Sequence, residues 1–206
     1  RHLNQRSEML SGISHDLRTP LTRIKLQLAF IKDKEISKRL SEDVDEMEKM
    51  LNEYLQFASL GSQENTEKFD LHDLIKSTVK KYNNSNINFE NSPHIQFSGR
   101  KNLIQRCINN LIDNSNKYAK KLMIEIKQIN KNIIVILEDD GPGIPESEYE
   151  NVFKPFYKLD KARGDSKSSV GLGLSISSDV IRSHGGKIEL GKSKLGGLKI
   201  IISLPS

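Results

Sequence analysis

Over the first 60 positions, apolar residues return at steps of three and four, a spacing that helices bury only along a shared seam. Leu40, Val44, Met47, Leu51, Tyr54 and Ala58 form one stripe. Leu10, Ile13, Leu17, Ile24 and Ile31 form another, with Leu21 and Leu28 beside it. The polar run Lys32-Asp33-Lys34-Glu35 separates the two. This pattern predicts a helical hairpin. One hairpin cannot bury both seams, but two hairpins paired as a four-helix bundle can, so a homodimer is expected.

The grammar changes after a polar stretch from Gly61 to Lys68. Helices are expected at Leu71–Tyr82, Asn102–Ala119 and Gly171–His184. Strands are expected at Ile87–Phe89, Ile95–Phe97, Leu122–Ile129, Ile133–Glu138, Lys187–Leu190 and Lys199–Leu204. The fold class is therefore α + α/β: a helical-hairpin dimerisation domain (residues 1–61), a linker (62–70) and an α/β sandwich (71–206) with helices on one face of a mixed sheet.

Composition excludes several classes. Cys107 is the only cysteine, so no disulfide framework exists within the chain; among Ile104, Ile108 and Leu111 it reads as a core residue of a protein in a reducing compartment. The net charge is +5, but Lys and Arg are spread along the chain and no nucleic-acid motif appears, so no nucleic-acid partner is expected. No apolar run approaches the ~18 residues of a membrane helix. The first residue is Arg1, so the chain reads as the cytoplasmic piece of a longer protein, with any membrane anchor upstream.

His15 lies in Ser14-His15-Asp16-Leu17-Arg18-Thr19-Pro20-Leu21. With Leu10 and Leu17 in the seam, His15 faces outward, where an imidazole can receive a group from a mobile donor. Asp16 can hold the Nδ1 proton and leave the Nε2 lone pair free for attack. Thr19, one turn on, shares the outer face. Pro20 removes the helical partner of the Asp16 carbonyl, so a bend is expected. A plain surface histidine is the competing reading of His15 alone.

In the second half, Asn110, Asn114 and Lys117 make a polar stripe opposite Ile104, Cys107, Ile108 and Leu111. It is either a solvated face or a place where phosphates and Mg²⁺ satisfy the amides. Glu138-Asp139-Asp140-Gly141-Pro142-Gly143-Ile144 follows an apolar strand; Asp139 can accept from an exocyclic amine such as adenine's, or the segment is an ordinary turn. Phe153-Lys154-Pro155-Phe156-Tyr157 either anchors a lid or packs locally. Gly171-Leu172-Gly173-Leu174 opens a helix whose N–H groups can face phosphate.

The octet around His15 resembles the H box of sensor histidine kinases. The later motifs are similar to the N, G1, F and G2 boxes of Bergerat-fold ATPases, in the order those kinases use. The resemblance implies ATP and Mg²⁺ as ligands and His15 as the phosphoryl acceptor. It implies Asn110 and Asn114 in the nucleotide site, with Asn114 on the metal, and Lys117 and Tyr118 near phosphate and base. Asp139 would read adenine, Gly141, Gly143 and Ile144 would line the first glycine box, and Gly171, Leu172, Gly173 and Leu174 the second. Lys158 and Arg163 would be lid cations, and Ser169 stands where many members carry glycine. Runs such as Gly185–Gly191 and Gly196-Gly197-Leu198 are similar to the EnvZ-type branch. The implied partner is the receiver domain of an OmpR-like response regulator, and the implied location is the cytoplasmic part of an inner-membrane sensor. The resemblance also implies Thr19 in phosphatase action on the regulator.

Two other classes compete. Hydrolytic members of the ATPase family place a general-base Glu four residues before the metal-binding Asn. Here that position is Asn110, which cannot accept a proton from water. The other class is a dimerisation scaffold that senses nucleotide without catalysis.

Overall fold

The computed structural model describes residues 19–60, 64–82, 86–89, 92–159 and 171–206, with side chains between 49 and 60 described only at Leu51. The chain divides into two units, Arg1–Glu64 with Asp160–Leu172, and Asn65–Leu159 with Gly173–Ser206.

In the first unit, α1 (described over residues 19–28) and α2 (Lys34–Leu60) form a hairpin. Asp33 starts α2: its Oδ1 accepts from the amides of Glu35 (3.0 Å) and Ile36 (3.1 Å). Ser37 Oγ donates to the Leu28 carbonyl (2.8 Å), which satisfies the end of α1. Leu21 and Leu28 pack with Val44 and Leu51. Lys25 reaches from α1 to Asp45 (2.7 Å) and Glu48 on α2. The sequence reading put Ile24 and Ile31 in the seam and Leu21 and Leu28 beside it. Within one hairpin the buried pair is Leu21 and Leu28, because they face the i, i+7 pair Val44 and Leu51. Ile24, Ile31, Leu40 and Met47 stay exposed, and Ile31 lies in the turn. Among the described residues, no helix is long and apolar enough to cross a membrane.

The second unit begins with β1 (Glu67–Asp70), paired antiparallel with β3 (Gln96–Gly99). Glu67–Asp70 thus departs from the linker expected over 62–70. Phe69 is its only apolar residue, too little alternation to mark a strand, yet Phe69 sets its ring edge-on against Phe97. Asp70 then caps α3 (Leu71–Lys81) by accepting from the Asp73 amide at 3.1 Å.

The main sheet has the order β2-β4-β5-β7-β6, with β2 Ile87–Asn88, β4 Leu122–Ile129, β5 Asn132–Asp139, β6 Lys187–Lys192 and β7 Leu198–Pro205. Among the described residues, only the β2–β4 pair is parallel. Inward residues alternate along each strand: Leu122, Ile124 and Ile126; Ile133, Val135 and Leu137; Ile200, Ile202 and Leu204. Asn130, at φ 55°, takes the left-handed position that closes the β4–β5 hairpin. Over the inner face lie α3, α4 (Lys101–Tyr118) and α5 (Gly173–Ser183). The fold class is as expected, helices followed by a mixed α/β sheet.

Cys107 is buried on α4, with Sγ 3.9 Å from the Ser177 carbonyl. Burial pushes its thiol up to about 12, outweighing the opposing effect of Ser177. Such a thiol is roughly 10⁻⁴ ionised at pH 8. Native chain should therefore be alkylated by iodoacetamide at least ~100-fold more slowly than urea-unfolded chain, followed by intact mass. Equal rates would mean that α4 and α5 do not seal this residue.

Candidate functional site

Along β5 the side chains of Ile133, Val135 and Leu137 point inward, and Asp139 is next in that series. A carboxylate therefore stands where the alternation places a core side chain, only 5% exposed. Burial of this charge is offset by directed donors. Oδ1 accepts from the amides of Gly141 (2.9 Å) and Leu198 (3.0 Å), and Oδ2 from the Ser115 hydroxyl (3.2 Å). An ionised carboxylate has about four acceptor positions, so Oδ2 keeps capacity for one more donor. That is the chemistry an adenine amine needs.

Gly197 makes this arrangement possible. Its amide donates to the Asp139 carbonyl at 3.1 Å. A Cβ there would stand 2.3 Å from Asp139 Oδ1 and 2.4 Å from the Gly141 nitrogen. The β7 strand can approach Asp139 only without a side chain at this point.

On α4 the residues Ile104, Cys107, Ile108, Leu111, Ile112 and Ser115 face the core. Asn110 and Asn114 flank that face, one turn apart and half-buried. Among the described residues, Asn110 Nδ2 is buried without a hydrogen-bond partner. Beside it, a Cβ on Gly173 would lie 3.9 Å from Asn110 Cβ, so α5 begins over this amide. An orphaned donor next to the backbone N–H groups of a helix start suits a phosphate oxygen. Asn114 offers one hard amide oxygen of the kind Mg²⁺ binds. The residues present thus fit a magnesium nucleotide. Lys117 and Tyr118 end α4 on the exposed side, with Nζ 5.0 Å from the ring centroid.

Asp140 turns away from Asp139 and caps the entry to β4, accepting from the amides of Lys120 and Lys121, both at 2.8 Å. Chiefly the Lys121 amide, against some desolvation and helped by Lys120, holds its carboxyl below the ordinary 3.8. The stabilisation is fully present above that value and is lost as pH falls through the lower folded one. Gly143 has φ 69°, and Ile144 is half-buried.

In the segment after the glycine turn, Glu148 accepts from Tyr157 Oη (2.6 Å) and Asn151 Nδ2 (3.0 Å). These two bonds, Tyr157 first, hold the Glu148 carboxyl below its ordinary value against a small desolvation. Of the aromatics considered as lid anchors, Tyr157 is tied in this way, while Phe156 is exposed at φ 64°.

Asn110, Asn114, Lys117, Tyr118, Asp139, Gly141, Gly143, Ile144, Gly173 and Leu174 all lie in the second unit. Gly171 does not start the helix as expected; it takes φ 77°, and α5 begins at Gly173. Leu172 is buried and Lys158 half-buried. Thr19 is exposed on α1. His15, Asp16, Arg163 and the expected bend before Pro20 lie outside the described residues. Sequence reasoning missed Ser115, Gly197 and Leu198 as parts of the Asp139 site. Ser115 continues the buried Cys107–Leu111 spacing as a polar residue, which was its signal. The Leu198 amide carried no signal, because any residue supplies one.

With Asn114→Ala, a cation bound there would be one oxygen short. Calorimetry should show that Mg²⁺ no longer tightens ADP binding, a loss of about 10-fold or more if the ligand contributes ~1.4 kcal/mol. An unchanged Mg²⁺ effect would move the metal to another residue.

Residues 99–206 match the family described as Histidine kinase-, DNA gyrase B-, and HSP90-like ATPase. Residues 5–63 match the His Kinase A (phospho-acceptor) domain. Sensor histidine kinase GtrS of Pseudomonas aeruginosa is 32% identical over 100% of this chain, which covers 43% of that protein. Sensor histidine kinase CpxA of Escherichia coli K12 is 29% identical over 100% of this chain, which covers 48% of it. The chain therefore spans less than half the length of these relatives. Full-length ShkA in complex with AMPPNP shares the fold, with a TM-score of 0.72 over 96% of this chain and 45% of that one, at 20% identity. The chain belongs to the Histidine kinase-, DNA gyrase B-, and HSP90-like ATPase family, and carries a His Kinase A phospho-acceptor domain ahead of its ATPase domain.

Proposed function

We infer that the chain is the catalytic portion of a two-component sensor histidine kinase, and that it phosphorylates itself on His15. Asp139 reads the adenine amine, and Asn110 and the start of α5 meet the phosphates. Mg²⁺ held at Asn114 supplies neutralisation of phosphate charge. Asp16 holds the Nδ1 proton while Nε2 of His15 attacks the γ-phosphorus in line. A P–N bond forms, the bond to the β–γ bridging oxygen breaks, and ADP departs. Positioning accounts for most of the rate. The phosphoryl group then passes to an aspartate on a receiver domain, of the OmpR-like class if the EnvZ-type resemblance extends to the partner. Dependence on ATP puts this activity on the cytoplasmic side of the membrane.

One observation carries the reading. A phospho-acceptor domain containing His15 is joined to an ATP unit whose position 110 is a neutral amide, a side chain that cannot act as the base for hydrolysis. Exposed Ile24, Leu40 and Met47 on the hairpin support a homodimer through a four-helix bundle. The test is incubation with γ-labelled ATP. Acid-labile, base-stable label on the chain is expected. Free phosphate alone would make it a hydrolase, and neither product would make it a nucleotide-sensing scaffold.

The same reading assigns Thr19 to removal of phosphate from the regulator. Its exposed hydroxyl can orient an attacking water, which a methyl cannot. Thr19→Ala should keep self-labelling and slow decay of phospho-regulator by ~10-fold or more, if the hydroxyl contributes ~1.4 kcal/mol to the barrier. Decay at the parent rate would leave Thr19 without a catalytic part.

A further inference from the structure

Among residues with no part in the phosphoryl transfer proposed above, two imidazoles and two carboxylates converge where α3 begins. Asp70, His72 and Asp73 surround the start of that helix, and His94 meets them from the segment before β3. One ligand atom from each lies within 4.8 Å of all the others. His94 Nδ1 is 3.1 Å from Asp70 Oδ2 and 3.7 Å from Asp73 Oδ1, and His72 Nδ1 is 3.3 Å from that same Asp73 oxygen. The two imidazole rings sit 4.2 Å apart between centroids.

An ordinary cap and ion pair explain part of this. Asp70 Oδ1 is used by the Asp73 amide, as at many helix starts. They do not explain why a second imidazole turns its Nδ1 onto the carboxylate of Asp73 beside His94. Like donors gather this way around a cation. The geometry points to a site for Zn²⁺, or a cation of similar preference, held by His72, His94, Asp70 and Asp73. Two nitrogens and two carboxylate oxygens are a donor set that tetrahedral Zn²⁺ accepts, whereas Mg²⁺ prefers oxygen alone.

The surroundings fit that use. Metal–ligand bonds of 2.0–2.1 Å put ligand atoms about 3.4 Å apart, so the widest pair must close by roughly 1.4 Å, within the reach of side-chain rotation. The Asp73 amide on Oδ1 and Gln96 Nε2, 3.4 Å from Oδ2, orient the Asp70 carboxylate, the kind of outer support that ligating carboxylates use, and Oδ2 has capacity for a further partner. The His72 ring rests on Phe89, 5.1 Å between centroids. His72 and Asp70 form the half-buried floor, with side chains 13% and 15% exposed, while His94 and Asp73, at 65% and 67%, leave an entry from solvent. Bound metal would tie α3 and β1 to the segment leading into β3, fixing the first elements of the ATP unit.

The test is calorimetric titration of the full chain with Zn²⁺, without nucleotide. The parent should bind one ion per chain, and His94→Ala should weaken binding at least ~100-fold, more than loss of an outer-shell partner costs. His94 is largely exposed, so this variant keeps its fold, and its MgADP affinity should match the parent's. Saturating Zn²⁺ should raise the melting temperature of the parent by about 5–10 °C and leave that of the variant unmoved. Co²⁺ gives a second readout: tetrahedral visible bands in the parent that vanish in His94→Ala. Absence of saturable Zn²⁺ binding by the parent, or binding and Co²⁺ bands that survive His94→Ala, overturns the site. Either result leaves the kinase reading untouched, since no step of it uses these residues.

Discussion

With alanine at position 15, the chain should bind MgADP as the parent does and take up no acid-labile phosphate. Two facts separate the effects. His15 belongs to the unit Arg1–Glu64, whereas Asp139, Asn110 and Asn114 belong to the other. ADP lacks the γ-phosphoryl group that His15 would accept, so affinity for it should stay within about twofold of the parent. The acceptor itself has no substitute. A methyl group has no lone pair, and an aspartate or serine that took the phosphoryl group instead would form a bond of different acid and base stability. The loss should therefore be complete rather than partial. Labelling with γ-labelled ATP, followed by acid and base treatment, makes the distinction, and calorimetry with MgADP on the same preparation shows that the ATP unit is intact. Acid-labile label on the variant would move the acceptor to another of the five histidines, of which His72, His94 and His184 lie in the ATP unit itself.

What the sequence showed of this molecule follows a physical division. Periodicity is a property of side chains, so elements with enough of them were legible: the helices of the hairpin, α3, α4, and the β4–β5 pair with Asn130 at its turn. β1 was not, since a strand of four residues with only Phe69 apolar takes its stability from pairing with β3, a partner distant in sequence. The start of α5 slid by two residues because a glycine run does not say which glycine leaves the left-handed region last. The site divides the same way. Asp139 was visible because it stands at the end of an apolar strand, and Asn110 and Asn114 because they share a helix face. The groups that hold Asp139 are backbone amides at Gly141 and Leu198, and a backbone donor has no signature in residue type. The four-residue cluster at the start of α3 was hidden for another reason: His94 joins Asp70, His72 and Asp73 only through the β1–β3 pairing.

Asparagine at position 139 separates binding from folding at this site. Its amide oxygen can replace Asp139 Oδ1 and keep the amides of Gly141 and Leu198 satisfied. Its amide nitrogen then takes the place of Oδ2, where it can donate to the Ser115 oxygen instead of accepting from that hydroxyl. The internal hydrogen bonds survive, so the fold should as well. The adenine amine, however, now meets a donor. Losing a hydrogen bond to a charged acceptor and facing two donors toward each other should weaken ADP binding by at least ~100-fold, or about 2.7 kcal/mol. Hypoxanthine carries a carbonyl where adenine carries its amine. The parent should therefore prefer ADP over IDP, and Asp139→Asn should narrow or reverse that preference, because its amide can donate to the carbonyl. A variant that had merely lost its fold would lose both nucleotides alike. Gly197→Ala supplies that contrast: besides Asp139 Oδ1 at 2.3 Å, its Cβ would meet two backbone atoms, the Gly141 nitrogen at 2.4 Å and the Asp139 carbonyl oxygen at 2.6 Å, which cannot rotate away as a flexible side chain would. Relief requires moving β7 or the end of β5, a strain of about 1–3 kcal/mol that should lower the melting temperature and weaken ADP and IDP together. Should Asp139→Asn bind ADP within about threefold of the parent, with its preference over IDP intact, the base is read by some other group and the adenine assignment fails.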